Sequence, residues 1–277
     1  MPSLTMSPDT FVYEAHAAQP VACLVCGAEN PSTPTRDRYG FCVGTSRCAC
    51  GFAYLNPQLS AEGYAAFYAH GYRATVGRFY QRHGLRGADT PAEVEAQARD
   101  RGTLIGSLAA RLWAVRPLAR LCDVGGSTGG VAEGIRGLWP VTTITVLDPN
   151  AEELAQARAR GHETVCALAE AAPDLPLQDV FVCVQTLDHA RDPLAVLRWM
   201  RDRLAPGGWL YVDVVNAGQW AANTGCWPQL EWKLDHPCYW SPETLAVAVT
   251  TTGWRVRAHT KRGLGGHHYG VWCEGRQ

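Results

Sequence analysis

The stretch Asp123-Val124-Gly125-Gly126-Ser127-Thr128-Gly129-Gly130 decides the fold. It ends an apolar run, Leu121-Cys122-Asp123-Val124, and leads into a segment of helical character. Glycines let a backbone turn tightly and approach a ligand, and the N-terminus of the helix that follows favours an anionic group. A dinucleotide fingerprint needs G-x-G-x-x-G, and no frame here supplies it. A P-loop needs Gly-Lys-Ser/Thr, and the stretch holds no lysine. What it does hold is D-x-G-x-x-x-G, with Asp148 closing the next apolar run 25 residues after Asp123. An acid at that place accepts hydrogen bonds from both hydroxyls of a ribose.

Working outward, apolar runs at 121–124, 143–147, 164–168, 180–185 and 209–215 alternate with helical patterns at about 128–138, 151–160 and 192–204. Asn150 with Glu153 three residues on caps the second helix, and Gly161 ends it. Near-continuous apolar strands between helices predict a parallel sheet covered on both faces. A helix over 242–252 and two runs at 254–260 and 269–274 predict an antiparallel pair that finishes the sheet. Upstream, Pro91 opens a helix that runs to about Trp113. Ser60 caps a short aromatic helix over 60–68, and Gly71, Gly77, Gly84 and Gly87 mark 71–90 as a linker or mobile cover. Residues 1–20 show no periodicity.

The chain has 277 residues, 47% hydrophobic and 18% charged, which excludes a mainly disordered or fibrous protein. No apolar run spans a membrane, and Met1-Pro2-Ser3-Leu4 begins no signal peptide, so a cytoplasmic protein is expected. Eleven cysteines are many for such a chain. Cys122, Cys166 and Cys183 sit in apolar runs as small buried side chains, while Cys226, Cys238 and Cys273 stay unassigned. Cys23-Leu-Val-Cys26-Gly27 is a C-x2-C knuckle and Cys48-Ala49-Cys50-Gly51 a second pair, the donor set of a closed structural zinc site. The second knuckle is one residue short, so Cys42 is an alternative to Cys48 or Cys50. Such a zinc folds the N-terminus and does no chemistry.

Four segments together resemble the class I S-adenosylmethionine-dependent methyltransferases: Asp123–Gly129; Val146-Leu147-Asp148-Pro149; Thr186-Leu187-Asp188-His189-Ala-Arg-Asp192-Pro193; and Leu204-Ala-Pro206-Gly207-Gly208. The Cys-rich leader, with Leu55-Asn56-Pro57 and the aromatics Phe67, Tyr68 and Tyr72, is similar to that of bacterial small-molecule members, deoxysugar C-methyltransferases among them. The long C-terminal domain of those sugar enzymes is absent from this sequence. The resemblance implies a Rossmann-like, doubly wound α/β fold with a mostly parallel seven-stranded sheet, an antiparallel last strand and a small zinc-ribbon-like module. The expected division is a leader over 1–57, a helical linker or lid over 58–116, and a core over 117–277 with a substrate insertion at 217–240. It further implies that Asp123, Gly125, Gly126 and Gly129 border the cofactor's methionine end. Asp148 and Pro149 would then meet its ribose, Leu168 its adenine, and Gln185 and Thr186 the methionine or sulfonium.

Methyl transfer from a sulfonium is an in-line displacement that needs a base only if the acceptor keeps its proton. His189, at the carboxyl end of the fourth parallel strand, and His236 in the insertion are the candidate bases, with Tyr239 a hydrogen-bond donor beside the second. Trp220, Trp227, Trp232, Tyr239 and Trp240 either wall an acceptor pocket or pack the leader onto the sheet. His267 and His268 at a glycine-rich turn read as an exposed pair. A net charge of −1, and a leader (residues 1–91) of seven Arg against six Asp/Glu, favour a small-molecule acceptor, no nucleic acid and no membrane, in a monomer or homodimer. The rival readings are a zinc-leader RNA base methyltransferase and a non-catalytic binding protein of the same fold.

Overall fold

In the computed structural model the described residues are 16, 20–83, 91–171, 173–217, 232–263 and 267–276. The leader, taken together with the helical segment that follows it, forms β1 (Thr33–Arg36), β2 (Cys42–Arg47) and β3 (Ala53–Leu55), then α1 (Ala61–Ala66), a π turn over Phe67–Gly71 and α2 (Tyr72–Arg82). The core comprises α3 (Pro91–Ala109), β4 (Leu118–Val124), α4 (Gly130–Arg136), β5 (Val141–Asp148), α5 (Ala151–Ala159) and β6 (Glu163–Cys166). It continues through β7 (Gln178–Val184), α6 (Pro193–Asp202), β8 (Leu204–Val215), β9 (Cys238–Tyr239), α7 (Pro242–Thr251), β10 (Trp254–Arg262) and β11 (His268–Gly275).

The main sheet has seven strands in the order β10-β11-β8-β7-β4-β5-β6. β4, β5, β6, β7 and β8 pair in parallel, and β11 runs antiparallel between β8 and β10. This is the doubly wound sheet expected from the sequence. Strand residues divide between its faces with period two. Val180 and Val182 join the cluster beneath α3, α4 and α5, while Phe181 and Cys183 join the one beneath α6 and α7. α3 packs closely on α4: a Cβ on Gly102 would lie 2.0 Å from the Val131 carbonyl oxygen, and one on Gly134 as near to that of Arg99. Only glycines permit that approach.

The second sheet, β1-β2-β3-β9, draws its last strand from the insertion before α7. Ala53 pairs with Tyr239 and Tyr54 with Cys238, and Leu55 N–H donates to the Pro237 carbonyl at 3.0 Å. The leader is thus a continuation of the insertion. Trp232 and Trp240 are buried in this junction, Trp240 with its ring centroid 4.8 Å from Phe52 and Trp232 4.6 Å from Tyr239. They pack the leader on the core; Trp220 and Trp227 lie outside the described residues, as does Cys226.

Two local expectations change. Residues 72–82, read as part of a linker or mobile cover, form a helix. Gly77 faces open space, so it weakens that helix without breaking it. Cys166 is exposed, because β6 is the sheet's edge strand. Cys122 and Cys183 are buried in central strands, and Cys238 and Cys273 are buried too. No described helix is long and apolar enough to cross a membrane.

Candidate functional site

The chain departs from β4 toward β5 and β6 on one side and resumes at β7 and β8 on the other, so the sheet's switch point lies between β4 and β7. Ligands of open α/β sheets sit outside the carboxyl ends of strands at that point. The Asp123–Gly130 loop is there, with Gly125 at φ +69° and Gly129 at φ +82°. Buried Asp123 accepts from Ala132 N–H at 3.2 Å, and burial pushes its carboxyl up to about 7. Two non-glycine residues also take left-handed backbone, Ser127 at φ 53° and Gln185 at φ 54°. Such strain persists where the surroundings over-determine it, and it clusters at ligand sites.

Asp148 ends β5 beside the loop. Its Oδ2 accepts from Ser127 N–H at 3.0 Å and its Oδ1 from Asn150 N–H at 2.8 Å. A carboxylate has about four lone-pair sites, so two remain for hydroxyl donors. Pro149 and Leu168 flank this place, both half-buried. Thr186 closes against the loop: a Cβ on Gly125 would fall 2.2 Å from its Oγ1. Arg101 on the inner face of α3 was not foreseen. It is half-buried, with the Asp123 and Asp213 carboxylates and the Arg262 guanidinium in its field, and burial followed by Arg262 lowers its pKa.

Beyond Gln185 opens a cavity of about 440 Å³. Gln185, Asp188 and His189 enter from the end of β7, Lys233, Asp235, His236 and Tyr239 from the insertion, and Tyr39, Tyr72 and Tyr80 from the leader. Among the described residues its aromatic wall is therefore made of leader tyrosines and Tyr239, and neither Trp232 nor Trp240 lines it. His267 and His268 also line it, so that pair is no exposed turn; Gln185 Nε2 lies 3.1 Å from His268 Nδ1. Burial and neighbouring His267 press His268 down to about 3.

The geometry of His189 assigns its tautomer. Nδ1 is 2.6 Å from the Asp235 carbonyl oxygen, which can only accept, so Nδ1 carries the proton. Tyr68 OH lies 2.9 Å from the same nitrogen and 3.3 Å from the same carbonyl, to which it donates. Nε2 of His189 is left with its lone pair. Burial holds His189 below the ordinary histidine value, with Asp235 opposing. His236 is 4.4 Å away centroid to centroid, and burial followed by Lys233 holds it well below that value. Lys233 Nζ lies 3.3 Å from His236 Nε2. Donor atoms of His189, Asp235 and His236 lie within 4.8 Å of one another, yet the Lys233 ammonium already donates to His236 Nε2, so these three serve proton chemistry better than a metal. Tyr239 OH accepts from Lys233 N–H at 2.6 Å, which ties the Lys233–His236 turn to β9. Buried Asp188 accepts from Val215 N–H at 3.2 Å, and burial pushes it up to about 8, which favours the protonated acid.

In the leader, Cys23 and Cys50 Sγ are 3.6 Å apart and Cys26 and Cys48 Sγ 3.4 Å, and all four lie within 4.8 Å. A tetrahedral zinc with bonds of about 2.3 Å sets its sulfurs roughly 3.8 Å apart, so the donor set and spacing fit that ion. Cys42 is exposed and outside the group. A hydrogen bond from the Cys50 backbone leads the causes that lower the Cys48 thiol to about 6, which favours a thiolate.

A family model described as "Methyltransferase domain" matches residues 96–259. The ubiquinone biosynthesis O-methyltransferase of Vibrio vulnificus is 31% identical over 105 residues, 35% of this chain and 44% of that protein. That of Xanthomonas campestris is 29% identical over 106 residues, 36% and 44%. The chain spans less than half the length of these curated relatives. Among solved structures, the plantazolicin methyltransferase BamL superposes with a TM-score of 0.56 at 12% identity, over 77% of this chain and 94% of that one. The magnesium protoporphyrin IX methyltransferase of Synechocystis PCC 6803 gives 0.54 at 8%, over 72% and 93%. At these identities the likeness establishes the fold.

Proposed function

Since the chain belongs to the methyltransferase-domain family, and is thereby an S-adenosylmethionine-dependent methyltransferase, we propose that its acceptor is a small molecule bound in the cavity beside His189. The observation that carries this reading is the cavity itself: a space of about 440 Å³, closed by leader tyrosines, that meets a neutral imidazole at the end of β7. That volume suits a small organic molecule. The matched relatives named for ubiquinone biosynthesis and protoporphyrin methylation support such an acceptor by analogy.

The cofactor loop fits S-adenosylmethionine. The glycine turn at Gly125, Gly126 and Gly129 leaves room for its methionine end, Asp148 has lone pairs for its ribose hydroxyls, and the Arg101 guanidinium answers its carboxylate. Gln185 and Thr186 stand where the loop meets the cavity. When bound, the cofactor supplies an electrophilic methyl on a sulfonium. His189 Nε2 takes the proton of the acceptor's nucleophilic atom, while the Asp235 carbonyl and Tyr68 hold its ring. Burial and then Lys233 keep His236 neutral, and Lys233 places a positive charge beside any anion that forms in the cavity. Tyr239 positions that turn. The Cys23, Cys26, Cys48 and Cys50 thiolates would hold a structural zinc that shapes the leader, and through β3 and β9 the acceptor cavity.

Incubation with methyl-labelled S-adenosylmethionine tests this against a small-molecule extract and total RNA of the source cell. The expected result is label in the small-molecule fraction, lost with His189→Ala while the cofactor product still binds. Label in RNA alone would overturn the reading.

A further inference from the structure

Beside the acceptor cavity lies a smaller crevice of about 60 Å³. Arg38, Arg78 and Arg82 line it with Tyr39 and Phe79, and Arg38 and Tyr39 line the main cavity as well, so the two spaces share a wall. Among the described residues no carboxylate lines this crevice. A water needs roughly 10–15 Å³ by this kind of measure, so the crevice has room for one tetrahedral anion and little more.

The three guanidiniums do not all stand on a loose surface. Arg38 N–H donates to the Trp232 carbonyl at 3.0 Å, and its guanidinium lies 4.9 Å from the centre of the Phe79 ring. Buried Asp37 fixes the turn beneath it, accepting from Tyr39 and Phe41 N–H at 2.9 Å each and from Leu234 N–H at 2.9 Å. Arg78 and Arg82 stand four residues apart on α2, a like-charge spacing that by itself weakens a helix. A bound anion would turn that repulsion into attraction. Guanidinium forks match phosphate oxygens two at a time, and arginines with interleaved aromatic rings are the usual means of holding them.

We propose that this crevice is an anion subsite that takes a phosphate group of the acceptor. The phosphate is held outside the reaction cavity, so that the rest of the molecule passes Tyr39 and presents its nucleophilic atom to His189. This rests on the small-molecule reading above. A nucleic-acid backbone would offer the same oxygens, but it needs a basic track and not a single crevice, and the leader's charge is near balance: seven Arg against six Asp/Glu over residues 1–91.

The test is calorimetric titration of the full zinc-loaded chain with inorganic phosphate, with sodium acetate at matched ionic strength and a single-stranded RNA oligonucleotide as the other arms. S-adenosylhomocysteine is titrated into the same samples. The expected result is saturable one-to-one phosphate binding, weakened at least tenfold in the Arg78→Ala/Arg82→Ala variant, whose cofactor-product affinity is unchanged. Both residues are exposed on α2, so the variant should fold. Absent or unsaturable phosphate binding with the S-adenosylhomocysteine titration intact overturns the subsite alone. So does binding that the double substitution leaves unchanged, or equal binding of acetate. Tighter binding of the RNA arm, phosphate for phosphate, overturns it in favour of a nucleic-acid surface. A chain that fails to bind S-adenosylhomocysteine loses the reading on which the subsite rests.

Discussion

Gly125→Ala is the substitution from which most can be learned, because two separable costs meet at one atom. Gly125 sits at φ +69°, where an L side chain costs about 1–2 kcal/mol. Its new Cβ would also fall 2.2 Å from Thr186 Oγ1 and 2.4 Å from Thr186 Cγ2. Thr186 cannot swing away freely, since it is β-branched and its Oγ1 donates to the Val184 carbonyl at 3.2 Å. Forcing a methyl into such a contact costs about 1–3 kcal/mol, so the total is about 2–5 kcal/mol. That cost divides between fold stability and cofactor binding, because either the loop or the end of β7 must move. Urea unfolding and calorimetry with S-adenosylhomocysteine measure the two shares, each about 1.4 kcal/mol of binding appearing as a tenfold weaker Kd. Adding Thr186→Gly removes the obstructing atoms and should restore the steric share, leaving the φ penalty of about 1–2 kcal/mol. Wild-type stability and wild-type affinity for Gly125→Ala, or a double variant no better than the single one, would refute the account of how the loop closes on β7.

Removal of zinc by a strong chelator, or Cys23→Ser with Cys26→Ser, should unfold the leader's sheet and lower the thermal midpoint while leaving S-adenosylhomocysteine binding in place; unchanged stability after verified metal loss would count against a structural ion. For pH, burial keeps His189, His236 and His268 neutral in the fold, below the ordinary value near 6.5. The unfolded chain then binds more protons below about pH 6.5, so stability should fall as pH drops through that value and level off above it. Catalysis needs neutral His189, so its acidic limb should lie below pH 6.5 and vanish from the residual rate of His189→Gln; an acidic limb above 7 would contradict the lowering of His189 by burial. Asp188 works in the opposite sense. Its raised carboxyl, at about 8, costs stability as pH rises from about 4 through 8, so Asp188→Asn should flatten that decline in a denaturant titration, and an unaltered slope would refute a protonated Asp188.

What could be read from the sequence was what lies close together in it. The glycine turn, Asp148 and the caps at Asn150 and Ser60 are local devices, and the parallel sheet follows from apolar runs whose residues face both layers. The four-cysteine group was legible for the same reason, though only the folded knuckles set Cys42 apart. The acceptor cavity was not legible. Tyr39, Tyr72, Arg38 and Lys233 reach it because Ala53 and Tyr54 pair with Tyr239 and Cys238, and strands of two and three residues leave no period in a sequence. Trp232 and Trp240 left two readings open for a related reason, since aromatic content says that a segment is buried but not against what. Lys233 carried a faint signal: it is one of only two lysines, with Lys261, among 25 basic residues, and it is the one that reaches the cavity. Gly71 and Gly77 hid α2, whose stability comes from the tyrosines it packs toward the cavity and not from helix propensity.

The central claim is that the Asp123–Gly130 loop and Asp148 form a working cofactor site. Calorimetric titration of the full chain with S-adenosylhomocysteine tests it most directly. The account predicts saturable one-to-one binding that weakens at least tenfold with Asp148→Ala, and more with Gly125→Ala added. No binding to a folded, zinc-loaded chain, or binding indifferent to Asp148, would contradict it.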